Sequence, residues 1–351
     1  MPRFRTAAKS AIAALIVWLV PFAASPAASA DLTLRIAGGG PATMPPRNLP
    51  EDLVRDQFTS LTNGRIDLAT QLKGKLCIEY ECVEAARRQS TDLAVLSCSD
   101  MGAFGLTLTL LELPFIFRNS EAAETILESW LMQKLSASMQ QNERLQLLSV
   151  FPKGESKGLA TTSGPVRIPD ELVERSIRVS KSPAEFSLVH TWGARAVPVD
   201  WPRVPAEFKR NTVEGLYVSA STMLAADLNP HITHFTRTGG IWDCNVLVMD
   251  LNRYDGLPNW ANQAADEVGS SLQIRIFASE LTRLANEREA LKSRGVEVYE
   301  PTEEENSQWR QVTAGAWRQL VGTFDPSDAE RTLADQDLQD MIALLKKAGA
   351  L

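Results

Sequence analysis

Two short runs of apolar residues constrain the fold more than anything else in the chain: Leu93-Ala94-Val95-Leu96 and Val246-Leu247-Val248-Met249. Each is too short for a helix that buries one face, and neither alternates with polar residues. Continuous apolar runs of this length suit strands covered on both faces, which is the habit of sheets flanked by helices. The residues before the first run set the same pattern. Leu32–Ala37 alternates as a strand, and Pro50–Leu61 reads as a helix with Leu53, Val54, Phe58 and Leu61 on one face. Asn63-Gly64 stops it, Ile66–Ala69 is a second strand, and a helix over 82–89 leads into the first apolar run. Strand, helix, strand, helix, strand predicts an α/β lobe with a mostly parallel sheet.

With 351 residues the chain exceeds one ordinary domain, so two lobes are expected. After a strand at Leu145–Val150 and Lys153-Gly154 the pattern restarts with strands at Gly158–Thr162 and Ser176–Ser180 and a helix over 184–192. The second apolar run, Asn245–Met249, is expected to return to the first lobe. The expected organisation is residues 31–153 plus about 243–257 for lobe 1 and 154–242 for lobe 2. A helix over 258–294 spans both, and 295–351 packs on them. That helix is uninterrupted by proline and ends at Gly295, and Thr302 with Glu305 forms a capping-box pattern for the next.

The first thirty residues are of another kind. Arg3, Arg5 and Lys9 precede the apolar run Ala11–Val20, then Pro21 and small residues ending Ala28-Ser29-Ala30. This is the layout of a secretory signal peptide, with cleavage expected after Ala30. Removing that segment takes the formal charge from −7 to −10. An acidic surface argues against nucleic acid and against anionic membranes as partners. No later segment is long and apolar enough to insert in a membrane; Leu106–Phe117 is short and carries Glu112. The reading is an exported, soluble mature protein; its periplasmic place follows from the resemblance given below.

Four cysteines in an oxidising compartment favour disulfides. Three pairings are open, as are free thiols. The local pair Cys77 and Cys82 is the simplest, which leaves Cys98 with Cys244. Cys98 and Cys244 are both expected in the first lobe, where a bridge braces that lobe without locking the two together; in different lobes it would oppose their closure. Their spacing does not fit a zinc site. His231 and His234 have helical metal-ligand spacing, but no glutamate lies between them and Pro230 precedes them. There is no Gly-x-Ser-x-Gly elbow, no His-Glu-x-x-His and no phosphate loop. Neither a catalytic set, a metal site nor a cofactor site is assigned.

Several strings, taken together and in order, resemble the DctP-type solute-binding proteins of tripartite ATP-independent periplasmic (TRAP) transporters. They are TNGRIDL at Thr62–Leu68, the stretch from Lys75 to Ser97, LELPFIFRNSEAA at Leu111–Ala123, SGPVRIPDEL at Ser163–Leu172 and SIRVSKSP at Ser176–Pro183. The resemblance implies a two-lobe periplasmic-binding-protein architecture with a central ligand cleft. It implies capture of an organic acid and delivery to TRAP membrane permease subunits, without covalent chemistry. A periplasmic subunit sensing a solute for a membrane receptor, or a secreted enzyme, are the alternatives.

In that family the arginine of the IRV strand grips the ligand's carboxylate, which implies the role for Arg178; a guanidinium fork matches a carboxylate. The basic residue of the family's GFRNLTN string falls on Lys157, an implied second anion contact. The family's ligand asparagine is replaced by Val218. Trp201, Tyr217 and Trp242 are candidate walls of a more aromatic pocket, with core packing as the other reading for each. Cys98 and Cys244 fall at strand ends beside the expected pocket, and their neighbours Ser97 and Asn245 complete the candidate ligand contacts.

Overall fold

A computed structural model describes residues 30–38, 50–71, 76–77, 81–102 and 107–351. The signal-peptide reading and the loop after the first strand lie outside the described residues. Eleven strands form two sheets: β1 (Leu32–Gly38), β2 (Ile66–Gln71), β3 (Leu93–Ser97), β4 (Leu145–Pro152), β5 (Gly158–Thr161), β6 (Ser176–Val179), β7 (Arg195–Pro198), β8 (Gly215–Val218), β9 (His234–Thr236), β10 (Cys244–Asp250) and β11 (Glu297–Tyr299). The first sheet has the order β2-β1-β3-β10-β4 and the second β11-β9-β5-β8-β6-β7. In the first sheet β1 pairs parallel with β2 and β3, while β10 is antiparallel to both β3 and β4. Four strands therefore run one way and β10 alone opposes them. The chain passes between sheets after β4, returns at β10 and leaves again for β11.

The apolar runs occupy the middle of the first sheet, and their side chains divide between its faces. Ala94, Leu96, Val246 and Val248 enter the cluster that continues into the second sheet through Leu159, Ile177 and Val179. Leu93, Val95, Leu247 and Met249 enter a separate cluster with Phe58, Ala261, Ala265, Val268 and Leu272. Burial on both faces is why no polar residue alternates there. Each buried aliphatic side chain contributes about 1.5–3 kcal/mol.

The second of those clusters is capped by a helix of 35 residues, Asn259–Ser293. It lies on β4 and on the helix Pro50–Leu61, and farther along meets the helix Ala220–Ala225 and β11 of the second sheet. Gly269 sets the approach: a Cβ there would stand 2.1 Å from the Leu148 carbonyl oxygen. The helix Glu303–Gln319 begins with the capping box of Thr302 and Glu305. It buries Trp309 and Trp317, whose indole N–H groups donate to the carbonyls of Arg167 and Pro114, each at 2.8 Å.

Ile177 and Val179 alternate with Arg178 and Ser180, as in a half-buried strand, but all four residues of β6 are buried. β6 lies inside the second sheet, between β8 and β7, and Arg178 lies against Val199 and Trp201.

Candidate functional site

Segments from both sheets converge on one buried polar cluster. The first side supplies Ser99, from the short helix Cys98–Gly102 after β3, and Glu112, at the end of the 3-10 turn Thr107–Glu112. The second supplies Lys157, just before β5, with Ser182 and Glu185 at the start of the helix Pro183–Thr191. Asp243 adds a carboxylate just before β10. All are buried.

The ammonium of Lys157 is 2.6 Å from Glu185 Oε1, 3.6 Å from Glu112 Oε1 and 3.8 Å from Asp243 Oδ1, and it bonds to Ser99 Oγ. Ser99 Oγ donates to Glu112, with Glu185 3.1 Å away, and Ser182 Oγ donates to Glu112 Oε2 at 2.7 Å. Glu185 Oε2 accepts the Ser180 amide at 2.7 Å. Gly102 makes room for this: a Cβ there would sit 2.5 Å from Glu112 Oε2. Asp243 Oδ2 accepts from Ser219 Oγ, which caps the helix Ala220–Ala225.

Burial opposes the charged forms of Lys157, Glu185 and Glu112, and pairing outweighs it for the first two only. For Lys157, burial alone would lower the pKa, but Glu185, Asp243 and Glu112 raise it, so the ammonium stays protonated. For Glu185, burial is outweighed by the charges of Lys157 and Arg178 and by hydrogen bonds, and the pKa is held at about 2. Glu112 goes the other way. Its burial and the neighbouring Glu185 charge prevail over Lys157, and its pKa is raised.

Arg178 adjoins this cluster through its charge on Glu185. Its Nε donates to the Val199 carbonyl at 3.0 Å, and its guanidinium carbon lies 5.0 Å from the Trp201 ring centre. Trp201 is partly buried against the second-lobe core. Ser97 and Asn245 face one another as partners in the β3–β10 ladder. The Ser97 amide donates to Asp100 at 3.2 Å, and Asn245 is buried.

The other expected contacts are committed elsewhere. Lys157 is enclosed by carboxylates, so its charge is spent within the protein. Tyr217 is 1% exposed; its hydroxyl accepts the Ile241 amide at 2.8 Å and its ring meets Trp192 edge-on. Trp242 donates to Ser120 Oγ at 3.0 Å, with Phe117 edge-on and Phe277 stacked against it. Both aromatic rings are core packing, because their polar atoms and faces are used inside. Val218 packs in the outer core of the second sheet.

Cys77 is bonded to Cys82 and Cys98 to Cys244. The second bridge ties the end of β3 to the start of the adjacent β10, within the first sheet. The His231 ring stacks on Phe208 from a 3-10 turn, whereas His234 opens β9 and bonds to Thr233. They share no helix face. Among the described residues no group of His, Cys, Asp or Glu side chains has the arrangement of a metal site, and no helix is long and apolar enough to cross a membrane.

Sequence reasoning missed Glu185, Asp243, Ser99 and Ser182, and it noted Glu112 only as an interruption of an apolar run. The available signal was that interruption: a carboxyl between Leu111 and Leu113 must find hydrogen-bond partners, and a cation or a proton, when the segment is buried.

Among curated proteins, the chain is 23% identical to a solute-binding protein of Verminephrobacter eiseniae over 61% of this chain and 63% of that one. Among solved structures, a TRAP periplasmic solute-binding protein of Bordetella bronchiseptica, with density interpreted as pantoate, superposes with a TM-score of 0.78 at 20% identity. The match covers 86% of this chain and 98% of that one. A Sulfurospirillum deleyianum TRAP protein with bound succinate gives 0.75 at 18% identity, covering 87% and 99%. These likenesses show the two-lobe fold. Residues 52–322 match the profile of DctP, and the chain belongs to this family, the bacterial extracellular solute-binding proteins, family 7.

Proposed function

We propose that this protein captures an organic acid in the cleft between its two lobes and delivers it to a TRAP membrane permease. In this reading the lobes are residues 31–153 with about 243–257, and residues 154–242. The chain is exported and cleaved after Ala30, and its work involves no covalent chemistry. The observation that carries the proposal is Arg178, a buried arginine on an inner strand, next to the junction of the lobes and held by Val199 and the Trp201 ring. A guanidinium fixed at Nε and by an aromatic face is pre-oriented for a carboxylate. Relatives solved with pantoate and succinate supply the chemical class.

Ser97, Asn245 and Trp201 are the proposed companions of Arg178 around the ligand. Lys157 is proposed to act at one remove, by holding Glu185 in place beside the arginine. The Cys98–Cys244 bridge leaves the lobes free to close on the ligand, because it lies in one of them. A thermal-shift screen of organic acids, sugars and amines on the mature protein tests the class. Stabilisation by a mono- or dicarboxylate supports it, and stabilisation by sugars or amines alone overturns it.

A further inference from the structure

The long helix that spans both lobes has a second face. Its inner side buries Leu272, Phe277, Glu280 and Leu291. Its outer side carries Ile274, 58% exposed, and Leu281, 83% exposed, the most exposed of the large apolar side chains among the described residues. Exposed Ala278 and Ala285 complete a stripe at intervals of four, three and four residues. That is the a/d rhythm of a helix seam, with large and small residues alternating.

The same register continues outward in both directions. Glu267 and Ser271 precede the stripe, and Arg288 and Lys292 follow it. Glu267, Arg288 and Lys292 are exposed. A parallel partner with the same sequence would set Glu267 against Glu267, Arg288 against Arg288 and Lys292 against Lys292. An antiparallel two-fold partner instead sets Ile274 against Ala285 and Ala278 against Leu281, with each large residue facing a small one. Its outer layers then set Glu267 against Lys292 and Ser271 against Arg288. The charge pattern therefore selects a second copy of this chain, in one orientation.

We propose that this stripe joins two copies of the protein through an antiparallel pair of their long helices. Glu267 to Lys292 spans about 40 Å at 1.5 Å per residue. A contact of one helix pair falls at or below about 1,200 Å² in total, the small end of specific interfaces. The dimer is therefore expected to be concentration-dependent.

Sedimentation velocity on the mature protein, from micromolar to near-millimolar concentration, reads the self-association. The expected result is a monomer–dimer equilibrium that weakens at least tenfold in Leu281→Lys, with an unchanged melting temperature because the side chain is exposed. Glu267→Lys should weaken it as well, and the double variant Glu267→Lys/Lys292→Glu should restore it. A wild-type protein that stays monomeric throughout overturns the proposal. So does a dimer that survives Leu281→Lys, or one that Glu267→Lys weakens without rescue by the double exchange.

Discussion

Replacing Lys157 by Met keeps much of the side chain's length and removes its charge. The variant leaves Glu185, Glu112 and Asp243 within 4 Å of a site that no longer holds a cation. Removing one partner of a buried pair costs about 3–5 kcal/mol, because the remaining charge stays buried and unpaired. Unfolding entropy grows with chain length, at about 2 cal/mol/K per residue, so here each kcal/mol moves the melting temperature by about 1.5 °C and a fall of about 4–7 °C is expected. The pH dependence sharpens the expectation. Without Lys157 the Glu112 carboxyl is raised further above its unfolded value of 4.5, and Glu185 loses the largest of the charges that hold its carboxyl below that value. An acid with a raised folded pKa costs stability above that pKa, and the cost fades as pH falls towards the unfolded value. The deficit of Lys157→Met, measured by circular dichroism melting, should therefore be largest at pH 7 to 8 and smaller at pH 5. A variant within about 1 kcal/mol of wild type at pH 7, or an equal deficit at both pH values, would refute the charge account of this cluster.

Other expectations concern the frame around the site. Burial raises the Glu280 carboxyl to about 7 despite its bond from Ser120 and the nearby Arg283; wild-type stability should fall between pH 4.5 and 7 through this group, and Glu280→Gln should flatten that part of the curve in urea titrations. Breaking Cys98–Cys244 by paired serine substitution should cost about 3 kcal/mol more than breaking Cys77–Cys82, from loop closure over separations of 146 against 5 residues. Chemical denaturation of the two variants gives the comparison. Thr302→Ala removes the reciprocal cap of the helix Glu303–Gln319 and should cost about 1 kcal/mol by the same measurement.

The elements were legible where one physical rule decided them. The runs at Leu93–Leu96 and Val246–Met249 had to be covered on both faces, and their side chains do divide between two cores. The long helix had no breaker before Gly295, and Thr302 with Glu305 announced the next. The site was less legible, because its chemistry depends on side chains far apart in sequence. Lys157 read as an anion contact, since nothing local shows that Glu112, Glu185 and Asp243 surround it. Tyr217 and Trp242 read as possible pocket walls because exposure belongs to the folded neighbourhood and not to the residue. Arg178 was singled out by a family resemblance; its alternating neighbours alone left open which side it faces, and the burial of all of β6 comes from packing on both faces that no local pattern shows.

The central claim is that Arg178 grips a carboxylate. Isothermal titration of the best organic acid from the thermal-shift screen, into wild type and Arg178→Ala, tests it most directly. The account predicts that the variant stays folded and binds about 30-fold to several-thousand-fold more weakly, the equivalent of losing about 2–5 kcal/mol from a buried charge pair. A folded Arg178→Ala protein that binds the same acid with unchanged affinity would contradict it.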